Sequence, residues 1–184
     1  MRRNLRLALG VLLVGAAFLT FGVAGALAGF PHFRSVTTSI STSSTGTSAT
    51  TTTATSSADL TQAFLEVSFK EVGLGSNEGT DVLVTADASS AYACINKGGR
   101  NPKASNKMTV AAPVNAEATL TSDKNGSISG TLTTGPAPGP GDFTCSSGQT
   151  LVLASVTFSN IVLTDVSNGI STTADDITAV FFQV

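Results

Sequence analysis

Apolar residues recur at every second position from Leu60 onward, and this alternation constrains the fold more than any other feature of the 184-residue chain. A period of two is that of a strand with one buried face. No stretch between the runs has the 3.6-residue period of an amphipathic helix. The alternating runs comprise Ala63, Leu65, Val67 and Phe69; Val82, Val84 and Ala86; Tyr92 and Cys94; Ala116, Ala118 and Leu120; Ile128, Gly130 and Leu132; Val152, Ala154, Val156 and Phe158; Ile161 and Leu163; Ile177, Ala179 and Phe181.

These runs, with a short edge strand at Met108 and Val110, predict eight or nine strands in an all-β fold. We expect an antiparallel β-sandwich of the immunoglobulin-like kind, because turn residues rather than helices separate the runs. Asn125-Gly126 and Asn168-Gly169 each predict a hairpin. The Pro/Gly-rich stretch at residues 135–141 cannot pair in a sheet, so we expect the chain to cross between sheets there.

The N-terminus has the pattern of an export signal. Three arginines, Arg2, Arg3 and Arg6, precede Leu7, and no charged residue occurs from Leu7 to Phe33. Ala26-Leu27-Ala28 offers a cleavage site before Gly29. The 22 residues from Leu7 to Ala28 would also form a helix of about 33 Å, enough to cross a bilayer. Cleavage and an uncleaved signal anchor both stay open, and either predicts an exported protein, secreted or held at the outer face of the cytoplasmic membrane.

A Ser/Thr-rich stretch follows the export segment. Residues 35–57 contain 18 Ser or Thr among 23 positions, with neither charge nor aromatic ring. Such a composition buries too little apolar surface to offset chain entropy, so it predicts a disordered linker. The linker is either a stalk that holds a domain off the membrane or a spacer left after cleavage. We therefore divide the chain into an export segment at 1–28, a linker at 29–58 and a β-sandwich domain at 59–184 that folds alone.

Cys94 and Cys145 are the two cysteines of the chain. Disulfides persist in exported proteins, so we expect this pair to be bonded. The closed loop of about 50 residues would stabilise the fold by roughly 4 kcal/mol on the chain-entropy account.

The chemistry available to the domain is limited. The one histidine, His32, lies beside the export segment, so the domain lacks the usual general base and the commonest metal ligand. We expect no enzyme activity, no cofactor and no metal. Paired carboxylates are the remaining acid–base possibility, with candidates Glu66, Glu71, Glu78, Asp81, Asp175 and Asp176.

Neighbouring acids on a strand point to opposite faces, which argues against Asp175 and Asp176 as a facing pair. Four oxygen-bearing side chains are candidate calcium ligands, although they lack a calcium-loop spacing, and solvated turn acids are the favoured interpretation. They are Asp165, Asn168, Asp175 and Asp176.

Basic residues of the domain are concentrated in one loop. From Asp59 onward the chain has 6 basic and 12 acidic residues, a net charge of −6, which argues against binding to nucleic acid or anionic lipid. A candidate binding loop for an anionic surface polymer or an acidic protein partner consists of Lys97, Arg100, Lys103 and Lys107. The alternative is that these side chains only keep the loop soluble.

Three segments carry a resemblance to a known group of proteins: residues 94–107, residues 145–156 and residues 160–165. Over roughly residues 65–170 the chain resembles a family of small exported bacterial β-rich proteins that has no known activity. The resemblance implies only that the cysteines, the Asn/Lys loop and the strand pattern belong to a recurrent exported domain. No catalytic residue is carried over from it.

Two functions follow from these observations. The first is a non-catalytic exported or cell-surface β-sandwich that serves as a binding module. The alternative is a structural envelope or matrix subunit that assembles through strand edges, for which the uncharged C-terminal stretch Ala179 to Val184 is a candidate edge. In both cases the membrane is contacted only through the N-terminal segment, and only if that segment is uncleaved.

Overall fold

A computed structural model describes residues 29–44, 61–96 and 106–183. Within these ranges the chain is all-β, as the alternation predicts. It forms eight strands: β1 (His32–Ser44), β2 (Thr61–Val72), β3 (Gly79–Asn96), β4 (Lys107–Thr121), β5 (Ser127–Thr133), β6 (Gln149–Asp165), β7 (Ile170–Ala174) and β8 (Ile177–Val180).

The strands form two antiparallel sheets. The first has the order β1-β2-β5, and the second has the order β4-β3-β6-β7, with β8 paired to β6 beside β7. β7 pairs with the last residues of β6, whereas β8 pairs with Ser155–Phe158 in its middle. β7 and β8 therefore divide one edge of the second sheet between them.

The core lies between the two sheets. Leu65 and Val67 from the first sheet pack in one cluster with Val84, Val156 and Phe158 from the second, and each of these side chains is fully buried. Along β2, buried residues alternate with more exposed ones, which is the period that the sequence shows. The arrangement is thus sandwich-like, with apolar side chains inside and most polar and charged side chains outside; the buried exceptions are Glu71, Thr80, Ser90, Ser122, Thr134 and Asp165.

The arrangement has two ends, which we call the Glu71 end and the Cys94 end. The Glu71 end contains the last residues of β2, β4 and β6 and the first residues of β1, β3 and β5. The Cys94 end contains the opposite ends of the same strands. β1 therefore begins at the Glu71 end and finishes at the Cys94 end.

The expected linker at 29–58 is wrong over its first half, since His32–Ser44 forms β1. This strand pairs with β2 through 12 residue pairs, and Phe33, Val36 and Ile40 pack against the core. An edge strand needs only one apolar face, and Thr suits the pleated conformation, so a Ser/Thr-rich composition is compatible with pairing. The folded unit is correspondingly larger than 59–184. Residues 45–60 and the expected helix before Gly29 lie outside the described residues.

Several expected strands merge in the structure. The runs at Val82 and Tyr92 are one strand, β3, whose pairing with β6 shifts register between Thr85 and Asp87 and between Ala91 and Tyr92. The even-numbered positions of β3 stay buried from Thr80 to Cys94, and the extra residue at each shift lies on β6. The sequence shows two runs because the inward Ser90 between them is polar. The short edge strand expected at Met108 is likewise the beginning of β4.

Two of the three turn predictions are confirmed. Asn168-Gly169 closes the β6–β7 hairpin, and the chain crosses from the first sheet to the second between β5 and β6, through residues 134–148. The hairpin at Asn125-Gly126 is wrong, because β4 and β5 belong to different sheets. Gly126 turns with φ of +70° and accepts a hydrogen bond from the Leu74 amide at 3.1 Å. The turn between β4 and β5 is therefore hydrogen-bonded to the β2–β3 connection, and both of these connections pass from one sheet to the other.

Candidate functional site

The disulfide predicted from the sequence is present. Cys94 on β3 is bonded to Cys145 in the β5–β6 connection, with 5.5 Å between their Cα atoms. The Tyr92 hydroxyl donates to the carbonyl of Pro138 at 3.0 Å, so the β5–β6 connection is held to β3 at a second point. The crossing segment is thereby attached to the central strand of the second sheet.

The candidate binding loop leaves the fold beside this disulfide. Lys97, Arg100 and Lys103 lie outside the described residues, whereas Lys107 is the exposed first residue of β4, opposite Ala93 of β3. The stem of the loop belongs to the second sheet, because its last described residue before the gap pairs with Gln149 of β6. That residue, Asn96, accepts a side-chain hydrogen bond from Gln149 at 3.1 Å.

The opposite end of the fold buries two carboxyl groups that face each other from different sheets. Glu71 near the end of β2 and Asp165 at the end of β6 are each 0% exposed. The inward positions of β2 are odd-numbered up to Phe69, so the same parity turns Glu71 inward. Ile161 and Leu163 set the same parity on β6 and bring Asp165 inward.

Asp165 is fully satisfied by hydrogen bonds. Its Oδ1 accepts from the Thr80 hydroxyl at 2.6 Å and from the Asn168 amide N–H at 3.0 Å, and its Oδ2 accepts from the Asn168 side chain at 2.6 Å. Glu71 differs, because neither of its carboxyl oxygens has a hydrogen-bond partner among the described residues. Its contact with Asp165 is thus looser than a hydrogen bond of good geometry, and we treat it as packing of one acid beside the other.

The two acids have opposite pKa shifts. Burial and the adjacent Asp165 carboxylate raise the pKa of Glu71 to about 8. Burial alone would raise the pKa of Asp165 as well, but hydrogen bonds from Thr80 and Asn168, together with the neighbouring Glu71, lower it. At neutral pH the pair consists of a neutral Glu71 and an ionised Asp165, since two unpaired charges side by side in the core would be costly.

This pair is a structural feature rather than an accessible reaction centre, because both side chains are sealed between the sheets. A cavity of about 420 Å³ lies beside it, lined among others by Phe30, Leu74, Glu78 and Asn168. Asn168 therefore contacts the buried acid on one side and the cavity on the other. Among the carboxylates considered as acid–base candidates, Glu71 is the one that lies against a second carboxyl group. It meets Asp165 because both residues occupy inward positions of their strands.

Among the described residues, the other candidate carboxylates that accept side-chain or amide hydrogen bonds do so from Ser, Thr or Asn. Asp175 and Asp176 are exposed, and Asp176 accepts from the Asn160 amide at 3.2 Å. Glu66 accepts from Ser39, and Asp81 accepts from Thr119. These are outward-facing contacts between strands and turns.

The four candidate calcium ligands do not assemble. Asp165 and Asn168 are together at the Glu71 end, whereas Asp176 contacts Asn160, five residues back along β6 and therefore about 17 Å away. Across residues 29–44, 61–96 and 106–183, no group of three or more His, Cys, Asp or Glu side chains is placed to hold a metal ion.

No helix in those same ranges is long and apolar enough to span a bilayer. Comparison with protein-family models, with curated proteins and with solved structures found no match to this chain.

Proposed function

We propose that this protein is a non-catalytic, exported binding module, secreted after cleavage before Gly29 or retained at the outer face of the membrane by its N-terminal segment. The observation that carries the proposal is the Cys94–Cys145 disulfide at the stem of the basic loop. A disulfide supports an oxidising, exported location. A loop on a rigid sheet with a cross-linked stem is also a common way to present a binding surface.

We further propose that the domain is immunoglobulin-like. Lettered in chain order as A, B, C, C′, E and F, with β7 and β8 together as G, the strands read A-B-E in one sheet and C′-C-F-G in the other. Immunoglobulin domains likewise divide A, B and E from C, F and G. The disulfide differs, because it joins strand C to the E–F connection instead of joining B to F. This fold class supports presentation of loops and implies no activity by itself.

The proposed ligand is an anionic surface polymer or an acidic protein partner, contacted by Lys97, Arg100, Lys103 and Lys107. Outside the loop the domain from Asp59 has 2 basic residues against 12 acidic ones, so no second short segment of comparable positive charge occurs from Asp59 onward. Exposed ion pairs contribute about 0.2 to 1 kcal/mol each. Binding would be weak, dependent on several of the four side chains together, and sensitive to salt.

The experiment replaces all four basic residues with Ser and measures retention on the isolated envelope of the producing organism, at low and at moderate salt. A matched control replaces Lys70 and Lys124, which are exposed elsewhere on the domain. We expect the loop variant to lose retention at low salt and the control to keep most of it. Unchanged retention of a folded loop variant would reject the loop as the binding site.

The second candidate is a structural envelope or matrix subunit that assembles through strand edges. It is supported by the exposed apolar side chains beside the short edge strand β8, where Val180 is 63% and Phe182 is 45% exposed. An uncharged edge of this kind favours pairing with another chain. Light scattering over a concentration series tests it: assembly that Val180→Lys abolishes supports this candidate, whereas a monomer at all concentrations rejects it.

A further inference from the structure

The position of β1 decides which end of the domain adjoins the N-terminal apolar segment. Residues 29–31 alone separate Ala28, the last residue of that segment, from His32, where β1 begins. His32 pairs with Val72 at the Glu71 end. At about 3.3 Å per residue, this connection spans only about 10 Å.

The same end exposes apolar side chains. Phe30 is 95% exposed, and Val166, in the β6–β7 turn, is 51% exposed. Phe30 also lines the 420 Å³ cavity together with Ser167, the neighbour of Val166. Phe30 and the β6–β7 turn that contains Val166 therefore adjoin one cavity, at the end of the fold where β1 begins.

The accessible charges at this end are balanced, although the domain as a whole is acidic. Three acids, Glu78, Asp81 and Asp123, stand against three basic residues, Arg34, Lys70 and Lys124. The one uncompensated charge is the buried Asp165 carboxylate, so only a weak negative field faces an anionic bilayer surface there. The net charge of −6 that argues against lipid binding is thus not a property of this end.

We propose that, in the anchored form, the Glu71 end rests on the outer surface of the membrane that holds residues 7–28, with Phe30 and Val166 in the lipid interface. This inference rests on the exported, membrane-retained form in the proposed function. Phe and aliphatic side chains are the groups by which protein surfaces enter the interfacial layer. The Ser/Thr-rich residues 45–60 are then not a stalk, because they connect β1 to β2 at the opposite end.

The orientation sets the height of the candidate binding loop. β1 contains 13 residues and spans about 43 Å from the Glu71 end to the Cys94 end. The stem of the basic loop and the disulfide therefore stand about 40 Å from the bilayer, and the cavity at the Glu71 end faces it.

The test uses the full chain, synthesised without signal peptidase in the presence of phosphatidylcholine and phosphatidylglycerol vesicles that contain a lipid with a nitroxide-labelled head group. A fluorophore is attached at Ser76→Cys, in the β2–β3 loop at the Glu71 end. The matched control carries it at Gln62→Cys, an exposed residue of β2 at the Cys94 end. The two positions lie more than about 33 Å apart along β2.

We expect the nitroxide to quench the fluorophore at Ser76→Cys and to leave the one at Gln62→Cys unaffected. Vesicle flotation is measured on the same samples. Flotation with an unquenched Ser76→Cys label would overturn the proposed orientation alone, while a chain that does not float would overturn both the anchored localisation and the orientation.

A second pair of variants tests the apolar contact. Phe30→Ser combined with Val166→Ser should lower the quenching at Ser76→Cys by at least about half, because the rim then loses its interfacial side chains. Val180→Ser removes an equally exposed apolar side chain away from this end and should change nothing. Quenching that is the same in all three proteins would overturn the assigned contact.

Discussion

Replacing Glu71 with Gln should abolish the pH dependence of stability in the neutral range. The pKa of Glu71 is about 8 in the folded protein against 4.5 for the ordinary side chain. Because the folded state holds a proton that the unfolded state releases, stability falls as the pH rises from 4.5 to 8. At about 1.4 kcal/mol per pH unit over about 3.5 units, the loss is roughly 5 kcal/mol.

A loss of this size is a large share of the stability of a small domain, which is about 5 to 15 kcal/mol. Glutamine resembles the neutral acid in shape and has no proton to lose in this pH range, so Glu71→Gln should be as stable at pH 8 as at pH 5. Asp165 acts in the opposite sense and only at lower pH, because its pKa is lowered and its contribution is lost on acidification.

The assay is urea unfolding followed by circular dichroism at four pH values between 5 and 8, on the protein beginning at Gly29. Glu117→Gln, an exposed acid of β4, is the matched control and should keep the slope of the parent protein. The reasoning is refuted if the parent stability is flat or rises between pH 5 and pH 8, or if Glu71→Gln retains the parent slope.

Three other changes test the fold. The fragment 59–184 should unfold at a lower temperature than 29–184, or without a cooperative transition, because it lacks β1; equal melting curves by circular dichroism would contradict the pairing. Reduction of Cys94–Cys145 should cost roughly 4 kcal/mol for a sequence separation of 51, measured by urea unfolding with and without reductant, and an unchanged midpoint would oppose this. Gly126→Ala should destabilise more than Gly169→Ala in the same assay. Both glycines have positive φ, but an added methyl group meets a backbone carbonyl only at Gly126, so equal losses would contradict the packing.

The sequence predicted the features that depend on local pattern and on cysteine count. The alternation identified β2 and, as two separate runs, β6; the cysteine pair identified the disulfide, and Asn168-Gly169 identified a hairpin. β1 was missed because its composition resembles that of a linker. A Ser/Thr-rich segment forms a strand only if a neighbouring strand has a free edge to pair with, and here that strand is β2. Asn125-Gly126 was misassigned because a tight turn contains no information on which sheet the next strand joins.

The buried acid pair illustrates a different limit. Parity turns Glu71 inward on β2 and Asp165 inward on β6, so each position could have been recognised as buried from the alternation alone. The contact between the two acids could not have been predicted from the alternation, because it depends on which strand ends face each other across the two sheets. The raised pKa of Glu71 follows from that meeting and from burial.

In the proposed anchored form, β1 also determines how the domain would carry mechanical load. A pull on a ligand at the Cys94 end, resisted by a membrane at the Glu71 end, would draw β1 along its own axis past β2. The 12 residue pairs of the ladder, whose hydrogen bonds lie across the strands, are then loaded in shear and at the same time, instead of being opened one after another. Were the ladder to yield, residues 45–60 would still join the two strands covalently. This Ser/Thr-rich segment would come under tension only after β1 has slipped past β2.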